Sequence, residues 1–227
     1  MELTNTLMIL AGPNGSGKSF ISRKIKSVFP GLDYISPDDL AKANYAGIED
    51  QGLRHYQFAA PETERIVLEA IRQRKTIMME TVLSSDHKWH LLEAARQAGM
   101  IVRTIFVTTC DVQINIRRVA RRAAQGGHDV PENKIISRYV GSMQRLGRLI
   151  LLSDECTVYD NSQDGADPAF VFMKACGNHF LIDSDDPRFS WLYEQFDMWI
   201  QEGVCSLGNS FYFNAPQAEE LDAWKIP

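Results

Sequence analysis

The sequence predicts an α/β fold in three layers, with a mostly parallel central sheet and a helical lid that carries arginines. Three observations support that expectation. Short apolar runs alternate with helix-period segments, the first apolar run enters the glycine-spaced stretch "AGPNGSGKSF", and an arginine-rich helix is followed by a glycine-bearing loop and a second basic helix. Alternating strands and helices point to a parallel sheet with helices on both faces.

The elements follow in order. "TLMILAG" reads as a buried strand running into the glycine loop, and "KSFISRKIKSVF" as a helix stopped by Pro30-Gly31. "DYIS" is a short second strand closed by Pro37, and "PDDLAKANYAG" a helix with Pro in its first turn and Gly47 near its end. "PETERIVLEAIRQR" is helical, "TIMMETVL" a strand, "DHKWHLLEAARQAG" a helix ending at Gly99, and "IVRTIFVTT" a strand. The lid would comprise the helix "DVQINIRRVARRAAQ", the loop "GGHDVPENK" and the helix "IISRYVGSMQRLGRLILL", with "CTVYDN" as the last core strand. Polar, turn-rich "NSQDGADP" marks a boundary, giving a core over 1–162, with its lid at about 117–148, and an extension over 163–227 packed on that core. Within the extension, "AFVFMKA" and "HFLID" read as a hairpin. "RFSWLYEQFDMWIQEG" reads as a helix anchored by Trp191, Tyr193, Phe196 and Trp199.

Composition narrows the class. A chain of 227 residues, 44% hydrophobic, can bury one generous core. A net charge of -5 argues against a general nucleic-acid or membrane-surface binder. Cys110, Cys156, Cys176 and Cys205 are scattered with neither zinc nor disulfide spacing, so a reduced, cytoplasmic setting is expected. The opening "MELTNTLMILAG" is too short an apolar run for a secretory signal, and no run approaches the roughly 18 apolar residues of a membrane span.

Gly12, Gly15, Gly17, Lys18 and Ser19 fit G-x-x-x-x-G-K-[ST] between a strand and a helix, the context that gives this pattern its meaning. Backbone N–H groups of Gly12, Pro13–Asn14, Gly15, Ser16 and Gly17 can turn around phosphate oxygens (Pro13 itself has no N–H), and the helix N-terminus adds partial positive charge. Lys18, expected to be exposed in the loop, reaches the terminal phosphates, and Ser19 can ligate Mg2+. The loop therefore holds a nucleoside triphosphate, ATP or GTP, and the fold is of the P-loop NTPase type.

Three polar groups then decide what happens to the terminal phosphate. Asp38 and Asp39 follow the second strand, where a carboxylate could accept the proton of an attacking hydroxyl or could instead complement a helix dipole. Glu80 ends an apolar strand and is followed by Thr81, Ser84 and Ser85, a pattern that can orient a polar substrate as readily as a metal; a helix cap explains the serines better than Glu80. Arg117, Arg118, Arg121 and Arg122 form a cationic arc on one helix, with Lys134 and Arg138 on the next and His128 in the loop between them. Arginines in a lid can stabilise a transferring phosphoryl group and exclude water from it. A solvated basic face is the plainer alternative, and a nucleic-acid surface ranks lower because aromatics are not interleaved. His87 and His90 stand three apart on a helix, with no third metal ligand in view.

"AGPNGSGKS", "SPDD", "METVLSS", "RRVARRAAQGGHDVP", "ISRY" and "YDNS", in this order over roughly residues 5–162, resemble the zeta-toxin-like P-loop kinases, especially their compact group. The resemblance implies a magnesium-dependent kinase that phosphorylates the 3-hydroxyl of a UDP-N-acetylglucosamine-like sugar nucleotide and acts as a toxin with an antitoxin protein as partner. It implies Asp38 as general base, Glu80 as a substrate contact, and Arg122 and Arg138 as stabilisers of the transferring phosphate, with Lys134 the rival of Arg138. The compact group commonly reads E-T-T-L-S where this chain has Glu80-Thr81-Val82-Leu83-Ser84, so one hydroxyl near the substrate is absent.

The resulting expectation is a cytoplasmic small-molecule kinase that uses ATP or GTP with Mg2+. Lys18, Asp38, Arg122 and Arg138 would be catalytic and Glu80, Thr81 and His128 would contact substrate. The alternatives are a P-loop ATPase switch and a polynucleotide or nucleoside kinase acting on another acceptor. A switch needs a water-positioning group and a partner surface, neither of which is recognisable in the sequence.

Overall fold

The computed structural model describes residues 3–50, 53–127, 129–175 and 179–182. Its strands are β1 (Thr6–Ala11), β2 (Asp33–Ile35), β3 (Ile77–Thr81), β4 (Ile101–Thr108), β5 (Glu155–Asp160), β6 (Ala169–Ala175) and β7 (His179–Ile182). Its α-helices are α1 (Lys18–Val28), α2 (Pro37–Asn44), α3 (Ala60–Arg72), α4 (Trp89–Gln97), α5 (Val112–Ala124) and α6 (Glu132–Leu152). The strands form one sheet in the order β2-β3-β1-β4-β5-β6-β7. The pairs β2–β3, β3–β1, β1–β4 and β4–β5 are parallel, and β5–β6 and β6–β7 are antiparallel.

All six residues of β1 are buried, as a strand between two parallel neighbours with both faces covered requires. Leu7, Ile9 and Ala11 point to one side, where they pack with Val67 of α3, Leu91 and Leu92 of α4, and Leu146 and Leu149 of α6. Met8 and Leu10 point to the other side and meet Ile21 and Ile25 of α1. This two-residue alternation against helices on both faces gives the three layers, and each fully buried aliphatic side chain contributes about 1.5–3 kcal/mol. A separate small cluster of Val119, Val130 and Ile135 joins α5 to the start of α6.

Two features depart from the sequence reading. A π-helical segment, Leu53–Ala59, runs directly into α3, where no element was expected. The helix expected from Asp86 opens instead as a 3-10 turn, Asp86–Lys88, before α4. The hairpin read from "AFVFMKA" and "HFLID" is β6–β7, with Ala175 opposite His179. The turn at 162 lies between β5 and β6, and β6 continues the sheet by pairing with β5. The buried Lys174 ammonium donates to the carbonyls of Ile150 at 3.0 Å, Leu151 at 3.3 Å and Ser153 at 2.6 Å, capping the end of α6. The helix expected over "RFSWLYEQFDMWIQEG", with Trp191, Tyr193, Phe196 and Trp199, lies outside the described residues. Among the described residues no helix is long and apolar enough to cross a membrane.

Candidate functional site

Ligands of open α/β sheets sit beyond the carboxyl ends of the strands, and a cavity of about 590 Å3 opens there. One wall is the phosphate loop. Gly12 adopts φ 142°, and a Cβ at that position would stand 2.0 Å from the carbonyl oxygen of Val107, so only glycine lets the loop leave β1 this close to β4. The loop is braced from behind. Asn115 Nδ2 donates to the Asn14 carbonyl at 2.6 Å, and Asn161 Nδ2 donates to the Ser16 carbonyl at 2.8 Å. Asn115 is itself buried and accepts from the Thr109 hydroxyl.

The expectation of an exposed Lys18 is corrected: its side chain is 7% exposed. Nζ donates to the carbonyls of Gly12 at 2.9 Å and Pro13 at 3.1 Å and lies 3.8 Å from Glu80 Oε1. The loop curls over the lysine because its own carbonyls are the nearest acceptors. Burial pulls the ammonium below the ordinary lysine range, opposed by Glu80 and Asp38 and reinforced by Arg122 and Arg138.

The opposite wall carries carboxylates. Asp38 and Asp39 both sit in the first turn of α2, but only Asp38 lines the cavity. The Asp39 N–H is instead bonded to the N-cap hydroxyl of Ser36 at 3.0 Å. Asp38 Oδ1 lies 3.0 Å from His55 Nε2, which the π-helical segment presents. Glu80, opposite Leu10 in the β1–β3 register, accepts a 2.7 Å hydrogen bond from the Tyr34 phenol. Burial, and then Glu80, push that phenol well above the usual tyrosine range, so it remains a donor. Thr81 lines the cavity, and its hydroxyl accepts from Leu83 N–H at 3.1 Å in a turn that holds Leu83 at φ 54°.

The arginines divide rather than acting as one arc. Arg118 and Arg122 of α5 line the cavity with Lys134 and Arg138 of α6. Arg118 is held by the Asn161 carbonyl at 2.7 Å and by Asp164 Oδ1 at 2.6 Å, while Arg121 turns outward to Asp164 Oδ2 at 3.1 Å. Arg117 is exposed and does not line the cavity. Arg138 Nη1 donates to Asn14 Oδ1 at 3.1 Å, joining α6 to the phosphate loop. Burial lowers its pKa and Asp38 opposes that shift. His128 lies outside the described residues. His90 pairs with Glu64 at 3.0 Å, and Lys88 pairs with the other oxygen of Glu64 at 2.7 Å.

The residues fit a triphosphate with Mg2+. The Ser16 hydroxyl is buried inside the loop without a protein partner, the state expected of a group whose partner is a phosphate oxygen. Ser19 is exposed at the start of α1 and lines the cavity. Among the described residues no three His, Cys, Asp or Glu side chains gather as a metal cage.

Sequence reasoning missed His55, Tyr34, Asn115 and Asn161. The partners of the last three are distant in sequence, and His55 lies in a stretch without a clear period. The "YDNS" motif does contain Asn161, and its position after the last parallel strand was the one available signal.

A protein-family model described as AAA domain matches residues 7–144. An uncharacterized protein of Haemophilus influenzae is 26% identical over 145 residues, covering 60% of this chain and 94% of that protein. Among solved structures, the AvrRxo1-ORF1:AvrRxo1-ORF2 complex with sulphate ions matches at TM-score 0.63 and 18% identity, over 85% of this chain and 63% of that chain. The same complex with ATP matches at 0.65 and 16%, over 97% and 70%. A structure from the PezAT chromosomal toxin-antitoxin system of Streptococcus pneumoniae matches at 0.60 and 15%, over 98% and 84%. At these identities the likeness is one of fold.

Proposed function

Given that the chain belongs to the AAA domain family, we propose that it is a kinase that transfers the γ-phosphoryl group of ATP or GTP to a hydroxyl of a small molecule. We further propose that the acceptor is a nucleotide sugar resembling UDP-N-acetylglucosamine. One observation carries the reading: a single cavity is lined by the phosphate loop with Lys18, by Asp38 and Glu80, and by Arg122 and Arg138. A base, an anion cradle and lid cations around one space are what phosphoryl transfer to an alcohol needs.

In this reading Asp38 accepts the proton of the acceptor hydroxyl. The hydroxyl oxygen forms a bond to the γ-phosphorus as the bond to the bridging oxygen breaks, and the nucleoside diphosphate leaves with that electron pair. Lys18, Arg122 and Arg138 disperse the charge that develops on the transferring group, with Lys134 the rival of Arg138 for this role. Glu80, held by Tyr34, and Thr81 orient the acceptor. Ser19 would hold Mg2+, which when bound neutralises charge between the phosphate oxygens. Arg118 secures the lid to the loop after β5 rather than meeting the phosphate.

A toxin role and an antitoxin partner belong to the same proposal, supported by the fold likeness to the PezAT structure. The test is to incubate the protein with γ-labelled ATP or GTP and a panel of nucleotide sugars, nucleosides and polynucleotides. Label in a nucleotide sugar is the expected result. Label only in inorganic phosphate would point to an ATPase switch, and label on a polynucleotide to a different acceptor class.

A further inference from the structure

We infer that His55 is a positioning residue for Asp38, holding the carboxylate toward the cavity through an Nε2–H hydrogen bond. The inference rests on the kinase reading above. An ionised carboxylate only accepts, so a contact of 3.0 Å between Nε2 and Oδ1 places the proton on Nε2. One imidazole donor does not exhaust a carboxylate, which has about four acceptor sites, so the contact is compatible with receiving a hydroxyl proton. Asp38 is 49% exposed on the first turn of α2, where a short side chain without such a contact would sample several rotamers.

The surrounding structure is built to bring His55 there. Residues 53–59 form a π-helix, a rare local winding often found at functional sites, and it changes the angular phase of His55 relative to α3. The segment is tied back to the loop that follows α2 at two points. Arg54 Nε donates to the Ile48 carbonyl at 2.8 Å, and Arg54 Nη2 reaches the Ala46 carbonyl at 3.3 Å. The Tyr45 and Phe58 rings stack with centroids 5.4 Å apart and planes 25° apart. The helix that carries the base and the segment that carries its partner are therefore held as one hairpin. Both His55 and Asp38 line the cavity.

The test compares His55→Ala, His55→Gln, Asp38→Asn and the double variant Asp38→Asn/His55→Ala in the full chain. The readouts are γ-label transfer to UDP-N-acetylglucosamine and to water, nucleotide affinity, and the Nε2 proton resonance of His55. His55→Ala is expected to lower turnover about 10- to 100-fold with nucleotide affinity unchanged, the scale of one hydrogen bond to a charged group. Gln, which keeps an N–H donor, should recover part of the loss. The double variant should be no slower than Asp38→Asn alone, because the two residues act as a unit. Wild-type turnover in His55→Ala beside a collapse in Asp38→Asn overturns the inference and leaves the kinase reading intact. Full turnover in Asp38→Asn overturns the inference together with the role of Asp38 as base, while the label in the acceptor keeps the kinase reading. Where the wild type labels neither acceptor, the resonance decides: a shift on Asp38→Asn supports the pairing, and an unmoved signal overturns it.

Discussion

The phosphate-loop wall of the cavity and the wall facing it hold their polar groups in different ways. Lys18 is 7% exposed and bonded to two carbonyls of its own loop, which is bound from behind by Asn115 and Asn161. Asp38 is 49% exposed and lies 3.0 Å from a histidine of a separate helical segment. The first wall is set by backbone geometry and buried hydrogen bonds. The second is set by side chains on helix surfaces. A phosphate-binding loop can be built into backbone geometry, whereas side chains on helix surfaces can be exchanged without disturbing the core.

The comparison breaks most visibly at Asp38. Asp38→Asn should reduce transfer by about 10²–10⁴-fold, the range of general-base contributions, while nucleotide affinity and unfolding midpoint stay near wild type, since Asn suits a helix N-terminus as well as Asp does. Nucleotide titration beside turnover checks it, and equal loss in both would move Asp38 to the nucleotide wall. Lys18→Ala should lower transfer by about 10²–10³-fold, lower nucleotide affinity with it, and cost about 1–3 kcal/mol of stability because two loop carbonyls lose their donor. An unchanged denaturation midpoint would show that the ammonium does not brace the loop. Smaller still, Arg122→Ala should slow transfer about tenfold or more with little change in ground-state binding, and Lys should restore only part of it. Arg117→Ala, altering an exposed residue that does not line the cavity, should stay within about twofold of wild type. Equal effects at Arg117 and Arg122 would return the helix to the uniform basic face that the sequence also allowed.

Legibility in the sequence followed the range of the interactions. The phosphate loop was readable because its chemistry lies in eight consecutive residues, and the strands and helices because burial repeats with their periods. The cavity's cations were readable as a group but not individually: Arg118 faces Asp164 across 46 residues, a pairing no helical wheel contains. Spacing alone did not separate Asp38 from Asp39, because one turn of helix presents both; the resemblance singled out Asp38, and only in three dimensions is Asp38, and not Asp39, seen to line the cavity. Lys18 was misjudged as exposed because the motif names its residues without showing the loop closing over them. His55 was missed because a π-helix has no distinct hydrophobic period and breaks the phase that would have tied it to α3.

Helix α6 has a consequence of another kind. Its inner half is core, with Leu146 and Leu149 fully buried and its last carbonyls capped by Lys174, while its outer half carries Lys134 and Arg138 to the cavity. Between these halves Ser142 donates to the Val82 carbonyl at 2.6 Å, and a Cβ at Gly141 would stand 2.6 Å from the Ser84 carbonyl oxygen, so the helix lies directly on the loop after Thr81. The helix therefore works as a keyed shaft. One residue inserted between Ser142 and Leu146 would leave composition, charge and helix propensity almost untouched. It would nonetheless turn Arg138 by about 100° and carry it about 1.5 Å along the axis relative to the core. In this stretch the number of residues constrains the chain as firmly as their identity.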